Sequence, residues 1–398
     1  MVLSRRAKEV SPSATLQITA AAKRMIQQGV DVVAFGAGEP DFDTPEVIKT
    51  AAIEAIKSGF TRYTHTAGIP ELKEAIAKKL KAENGLDVPA SSIVVSCGAK
   101  HSLYNILQVL IDEGDEVLVP VPYWVSYPEM VKLAGGRPVP IVTQKADGFK
   151  VNPGLLKRAL TSRTKALIVN SPSNPCGIVY RKEELKALAD FCVRHDLLCI
   201  SDEIYEKIVF DGIEQVSIAA LSDEMKKRTV TVNGFSKSFA MTGWRLGYCA
   251  AEPFLAEAIS NLQDHSTSNP TSFAQKGALA AFTLGEDFFA GIRKTFQERR
   301  DYIVSRLDNL KGKIGYIKPE GAFYIFCDIS PTGLDSFTFT KRLLEERHVA
   351  VIPGAPFGAD AYVRLSFATS MEKIKKGLDR IEEWIGTLSK DKGEKVKV

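Results

Sequence analysis

Ala166-Leu167-Ile168-Val169-Asn170, a turn-rich stretch Ser171-Pro172-Ser173-Asn174-Pro175-Cys176-Gly177, a helical pattern over 182–195 and then Leu197-Leu198-Cys199-Ile200-Ser201 decide how this chain folds. Two short apolar runs without polar alternation, joined through a helix, are the pattern of neighbouring strands buried on both faces of a parallel sheet. Working outward, the same alternation recurs between about residues 90 and 250. Strand-forming runs cover 93–96, 116–120, 137–142, 229–233 and 246–250, and a further helical period covers 101–112. The fold class this predicts is α/β, a large domain whose mostly parallel sheet is flanked by helices. Ligands of such sheets sit outside the carboxyl ends of the strands. The unusual residues gather there, because Gly98, Tyr123-Trp124, Asn174, Asp202 and Lys237 each follow the end of a run.

The last hundred residues read differently. Helical stretches over 288–307, 336–347 and 371–388 enclose strand-like runs over 322–328, 349–353 and 362–367, the pattern of a smaller α+β domain. The expected division is 1–43 as an N-terminal arm and part of the small domain, 44–290 as the large domain and 291–390 as the small one. The polar, charged segment 391–398 is expected to be a disordered tail.

Composition narrows the function. The 398 residues are 45% hydrophobic and 25% charged, which excludes a disordered, collagen-like or coiled-coil chain. Fifty-two Lys+Arg against 48 Asp+Glu leave a net charge of +4, so no broad basic surface for nucleic acid is expected. The six cysteines have no CxxC spacing and the five histidines no HExxH pattern, so neither a disulfide framework nor a metal site is expected. No apolar stretch approaches the ~20 residues that span a bilayer. Nor does an apolar run follow Arg5-Arg6 as in a signal peptide. The expectation is a cytoplasmic protein that meets any acidic ligand with a few placed cations.

Four segments carry candidate chemistry. Gly36-Ala37-Gly38-Glu39-Pro40-Asp41 lacks the third glycine of a dinucleotide fingerprint, and Pro40 disfavours an immediate helix, but its glycines let a ligand approach the backbone. In Ser171-Pro172-Ser173-Asn174-Pro175-Cys176-Gly177 two prolines stiffen a loop and hold the Asn174 amide over the sheet edge. Asp202 is the first polar residue after a buried run, with Tyr205 one short turn later. A carboxylate there can keep a heteroaromatic nitrogen protonated. Ser236-Lys237 sits among small and apolar residues after a strand, where an ammonium pKa falls and lysines form Schiff bases. Arg245, eight residues on, can supply a phosphate fork.

Together the ordered motifs Gly38-Glu39-Pro40-Asp41-Phe42, Tyr123-Trp124-Val125-Ser126-Tyr127, Asn174-Pro175-x-Gly177, Ser201-Asp202-Glu203-Ile204-Tyr205 and Ser236-Lys237-x-x-x-Met241-x-Gly243-x-Arg245 resemble the class I, fold-type I pyridoxal-phosphate aminotransferases. The pattern runs from about Pro12 to Arg380 and is most similar to the bacterial and plastid aspartate aminotransferases, some of which also transaminate prephenate. The resemblance implies pyridoxal 5′-phosphate as cofactor and amino-acid and 2-oxo-acid substrates. It implies Lys237 as the Schiff-base lysine, Asp202 at the pyridinium nitrogen, Asn174 and Tyr205 at the phenolate oxygen, and Trp124 stacked on the ring. Gly98, Ala99, Lys100, Ser236 and Arg245 are implied for the cofactor phosphate. Tyr63 matches a tyrosine that reaches the neighbouring subunit's phosphate, which implies a homodimer with shared sites.

For substrate, the resemblance implies Arg364 and Gly38 at the α-carboxylate, with Trp124 and Asn174 beside it. Many relatives hold the distal carboxylate with a second arginine, but the corresponding segment here reads His265-Ser266-Thr267-Ser268-Asn269-Pro270. The expected replacement is Lys100, with Thr15 matching a position linked to prephenate use. Two positions depart from the pattern: Cys176 stands for a small hydroxyl residue, and Gly234 for a phosphate-binding serine of more distant relatives. The leading expectation is aspartate:2-oxoglutarate transamination. The alternatives are aromatic or alanine specificity, a β-lyase, and a cofactor-sensing regulator, which would carry a DNA-binding domain for which about forty residues before the large domain leave no room.

Overall fold

Seven strands form the central sheet, in the order Ile93–Ser96, Gly247–Ala250, Thr229–Gly234, Leu198–Asp202, Thr164–Asn170, Glu116–Val121, Arg137–Val142. Six are mutually parallel, and Gly247–Ala250 runs antiparallel between its two neighbours. The computed structural model describes residues 2–10 and 14–394. Every residue of Ile93–Ser96 and of Thr229–Gly234 is buried, the consequence of β-branched runs sandwiched between helical layers. Along Thr164–Asn170 the side chains alternate: Leu167 and Val169 join one core, Ala166 and Ile168 the core on the other face.

The helices show why they lie on this sheet. Lys182–Arg194 buries Leu185, Leu188, Ala189 and Cys192, a stripe at i, i+3, i+4 and i+7, and Glu184 reaches back to the Arg181 backbone N–H at its start. Ala99–Leu110 likewise buries Leu103, Ile106 and Leu107. Asn152 caps Pro153–Ala159 and Ser222 caps Asp223–Arg228.

A second sheet, antiparallel and four-stranded, runs Ile352–Pro353, Tyr362–Ser366, Tyr324–Asp328, Gly315–Tyr316. Its core, with Phe323, Ile325, Val363, Leu365 and Trp384, is continuous with Ile204, Tyr205 and Ile208, which follow the large sheet's central strand Leu198–Asp202. The two sheets therefore share one apolar seam beside Asp202. Val33–Ala34 pairs in parallel with Val349–Ala350, which attaches the N-terminal segment to this second layer.

The structure differs from the sequence reading at several points. The run 349–353 is two strands serving two sheets, since the chain turns between Ala350 and Ile352. Gly315–Tyr316 is a two-residue strand too short to carry a periodic signal. The helix Glu286–Asp308 passes without a break through the boundary expected at residue 290. The last helix, Met371–Glu394, includes the first four residues of the expected disordered tail; 395–398 lie outside the described residues. No helix of the described residues is long and apolar enough to cross a membrane.

Gly247 is the tightest joint between sheet and helix. A Cβ there would come 2.1 Å from the Ala99 nitrogen and 2.6 Å from the Gly98 carbonyl carbon, both backbone atoms that have no room to move aside. Gly247→Ala is expected to lower unfolding stability by about 1–3 kcal/mol, the cost of overpacking a closed contact. Denaturant melts check it, and an unchanged midpoint would contradict this packing.

Candidate active site

The carboxyl ends of the parallel strands converge on one cleft, and Asp202 lies at its floor. It is the last residue of the strand Leu198–Asp202 and only 4% exposed. The Tyr127 hydroxyl donates to Oδ2 at 2.6 Å and the Ile204 N–H to Oδ1 at 3.3 Å. Burial pushes the carboxyl pKa up to about 6, while the Tyr127 bond, the Ile204 N–H and the charge of Lys237 pull it down. Among the described residues no cation forms an ion pair with this carboxylate; its direct donors are a phenol and a backbone N–H.

Lys237 follows the strand Thr229–Gly234 and projects over the same floor. Its ammonium donates to the Gly38 carbonyl and lies 5.8 Å from the centre of the Tyr205 ring and 5.9 Å from that of Phe323. Burial lowers its pKa to about 8, helped by Arg364 and Arg245 and opposed by Glu39 and Asp202. An amine so shifted is partly neutral near pH 7, the condition for a nucleophilic lysine. The N-terminal loop that supplies the Gly38 carbonyl is tied down: Thr44 donates to the Ala240 carbonyl at 2.7 Å, and Arg299 grips Asp41 with two bonds of 2.6 and 2.9 Å.

At one end of the cleft, the helix Ala99–Leu110 opens on Gly98 with no side-chain cap, so its first backbone N–H groups face outward. Gly98 has φ +92°, and a Cβ on it would meet Arg245 Nη2 at 2.6 Å. Arg245 itself adopts φ 55°, a conformation that costs a non-glycine residue on the order of 1 kcal/mol or more. Its Nη1 donates to the Thr242 carbonyl at 2.8 Å. Helix N-terminus and guanidinium together form an anion cradle. Lys100 stands in the first helical turn with its ammonium 4.8 Å from the Trp124 ring centre; desolvation, with the like charge of Arg245, lowers its pKa. Ser236 is buried beside Lys237.

At the other end, the second sheet presents Arg364. In its register Arg364 pairs with Phe326, which puts its side chain on the same face as Tyr324, two residues along. The guanidinium lies 4.4 Å from the Tyr324 ring centre and 5.3 Å from that of Phe357. Nη1 donates to Asn174 Oδ1 and Nη2 to the Gly36 carbonyl, each at 3.0 Å. Nε is buried without a partner among the described residues. Asn174 is in turn held by its own N–H, which donates to Asn170 Oδ1 at 2.9 Å.

Thus Gly38, Gly98, Ala99, Lys100, Trp124, Asn174, Asp202, Tyr205, Ser236, Lys237, Arg245 and Arg364 lie along one cleft, most of them linked by the contacts above. Tyr63 is not brought there by this chain: it stands 90% exposed at the surface. The side chain of Thr15 lies outside the described residues. Sequence reasoning missed Tyr127, Asn170 and Tyr324. Tyr127 sat inside a quoted motif without a role, Asn170 was taken only as a strand end, and Tyr324 was an aromatic residue in a strand-like run.

Residues 30–381 match the family model described as aminotransferase class I and II. Over 390 residues the chain is 47% identical to an aspartate aminotransferase of Bacillus subtilis, covering 97% of this chain and 99% of that protein. It is 46% identical over 387 residues to an aspartate/prephenate aminotransferase of Thermus thermophilus, covering 96% and 99%. A solved structure of the Thermus thermophilus aspartate aminotransferase with maleate matches with a TM-score of 0.91 at 45% identity, over 96% of this chain and 99% of that one.

In the cofactor-free protein, the acylation rate of Lys237, followed residue by residue by mass spectrometry, is expected to rise with pH about a midpoint near 8. Only the neutral amine reacts, so the rate falls below that midpoint. A midpoint at the ordinary 10.5 would contradict the electrostatics described.

Proposed function

The chain belongs to the class I and II aminotransferase family, and from that premise we propose that it transfers the amino group of L-aspartate to 2-oxoglutarate on pyridoxal 5′-phosphate, with prephenate as a further amino acceptor. The observation that carries the reading is the pairing of a lysine of depressed pKa with a buried carboxylate in one cleft, flanked by two cationic anchors, Arg245 and Arg364. The residues fit the cofactor. The uncapped helix start against Arg245 suits its phosphate, and Asp202 suits its ring nitrogen. The unpartnered Nε of Arg364 suits a substrate carboxylate.

In this reading Lys237 Nζ would hold the cofactor by its aldehyde carbon and would be the base that takes up and returns a proton. Asp202 would keep the ring nitrogen protonated, with Tyr127 orienting that carboxylate. Asn174 and Tyr205 would hold the ring oxygen, Trp124 the ring face, and Gly98, Ala99, Lys100, Ser236 and Arg245 the phosphate. Pyridoxal phosphate supplies the electron sink that lets nitrogen leave one carbon skeleton and join another. Arg364 and Gly38 orient the α-carboxylate, since a planar guanidinium grips a carboxylate with two bonds. Residues 44–290 then form the cofactor-binding domain, with 1–43 and 291–390 as the domain that brings Arg364.

The same reading makes the protein a cytoplasmic homodimer. Its six cysteines are free, and Val47, Ile53 and Ile56 of the helix Glu46–Lys57 are exposed near Tyr63 in sequence, as a face awaiting a second copy would be. Tyr63 then completes the partner's phosphate site. A panel of aspartate, glutamate, alanine, phenylalanine and prephenate, scored for oxo acid and aminated cofactor, tests the proposal. Pyruvate and ammonia instead would mark a β-lyase.

Lys100 is the proposed ligand of the distal carboxylate, with Thr15 beside it for prephenate. Lys100→Ala is expected to cut kcat/KM for aspartate and glutamate by about 10–100-fold, the range for one charged hydrogen bond. Alanine and phenylalanine should be spared. Uniform loss across all donors would sink this assignment.

A further inference from the structure

The hydroxyls of Tyr205 and Tyr324 lie 2.9 Å apart, both buried, and come from residues 119 positions apart, Tyr205 in the turn after Leu198–Asp202 and Tyr324 on the second sheet. Each phenol has one proton to give. When the Tyr205 proton goes to the cofactor's ring oxygen, as the functional reading requires, the bond between the two tyrosines survives only if Tyr324 is the donor. The ring of Tyr324 also lies under the Arg364 guanidinium, 4.4 Å from centre to carbon. A cation over a phenol draws electron density from its hydroxyl and makes it a stronger donor.

We infer that Tyr324 is a positioning residue, which carries the state of the carboxylate site at Arg364 to the Tyr205 hydroxyl through this O–H···O bond. With Arg364 unpaired, Tyr324 donates strongly and Tyr205 is correspondingly strong toward the ring oxygen. A substrate carboxylate on Arg364 neutralises the cation, and both bonds weaken. The cofactor oxygen then receives less support once substrate is docked, which favours the protonated form of the nitrogen that Lys237 holds. The inference rests on the reading in which pyridoxal phosphate occupies this cleft. It is separate from the bond of Arg364 to Asn174, which reaches the cleft by another element.

The groups that face this pair are few. Arg364 and Tyr324 approach Tyr205 from the second sheet, Asp202 from the first, Tyr127 from the helix Ser126–Leu133 and Lys237 from the loop above it, while Glu39 acts on Tyr324. Glu39 and Arg245 act on Lys237, and Lys100 stands beside Arg245. Tyr324→Phe removes one hydroxyl and leaves the ring under Arg364, so it alters the relay and not the cation site.

The test is a spectrophotometric pH titration of the visible band of the pyridoxal-phosphate-loaded protein, with and without maleate, an unreactive dicarboxylate. In Tyr324→Phe the midpoint is expected to rise by roughly a quarter to half a pH unit, the effect of weakening one neutral hydrogen bond. The further rise caused by maleate is expected to shrink. Tyr205→Phe should shrink the maleate effect as well, and adding Tyr324→Phe to it should change nothing more. An unchanged midpoint in Tyr324→Phe overturns the relay, as does an equal shift in the Tyr205→Phe background. If Tyr324→Phe does not fold, a full maleate effect in Tyr205→Phe overturns it alone. A wild-type protein that takes up no visible chromophore overturns the functional reading and the relay with it.

Discussion

Positive charge is crowded into one cleft. Lys237 feels Arg364 and Arg245, and Lys100 feels Arg245, while Glu39 and Asp202 favour the charge on Lys237 and offset part of that repulsion. Like charges held this close in a partly desolvated site raise each other's free energy, and the system has two ways to relieve it. The lysines shed protons more easily, or anions enter. Lysine chemistry and anion binding are therefore one property of the site, and the scaffold has to be stiff enough to keep the charges together before a ligand arrives.

That stiffness comes from the placement of Asp202, Lys237 and Arg364 at or just beyond the end of a largely buried strand or on a paired one. Asp202 ends the strand Leu198–Asp202, Lys237 lies three residues beyond Thr229–Gly234, and Arg364 sits within Tyr362–Ser366. The N-terminal loop is held against them by the Arg299–Asp41 pair, which brings the Gly38 carbonyl to the Lys237 ammonium. The shared apolar seam beside Tyr205 joins both sheets into one support. Movement of one sheet against the other would break the Tyr205–Tyr324 bond, which spans that seam, and carry Arg364 away together with Tyr324.

Much of this was legible in the residues, and the rest failed for physical reasons. The parallel sheet was readable because strands buried on both faces are continuous apolar runs, and Asp202 and Lys237 stood out as polar residues where such runs stop. Strand ends moved by one or two residues, as with Leu198–Asp202, because hydrogen bonding rather than hydrophobicity sets where pairing stops. Gly315–Tyr316 was invisible at two residues, and the split of 349–353 depends on partners far away in the chain. The supporting residues were unreadable for the same reason. Tyr127 reaches Asp202 across 75 positions and Tyr324 reaches Tyr205 across 119, and an aromatic residue in a buried run gives no local sign that its hydroxyl has work to do.

The central claim is that the Lys237 amine is the group that takes the cofactor. Borohydride treatment of the pyridoxal-phosphate-loaded protein, followed by peptide mass mapping, addresses it directly. The account predicts a pyridoxyl group fixed on the peptide containing Lys237 and on no other lysine. A label fixed on Lys100 or on a surface lysine, with Lys237 unmodified, would contradict it.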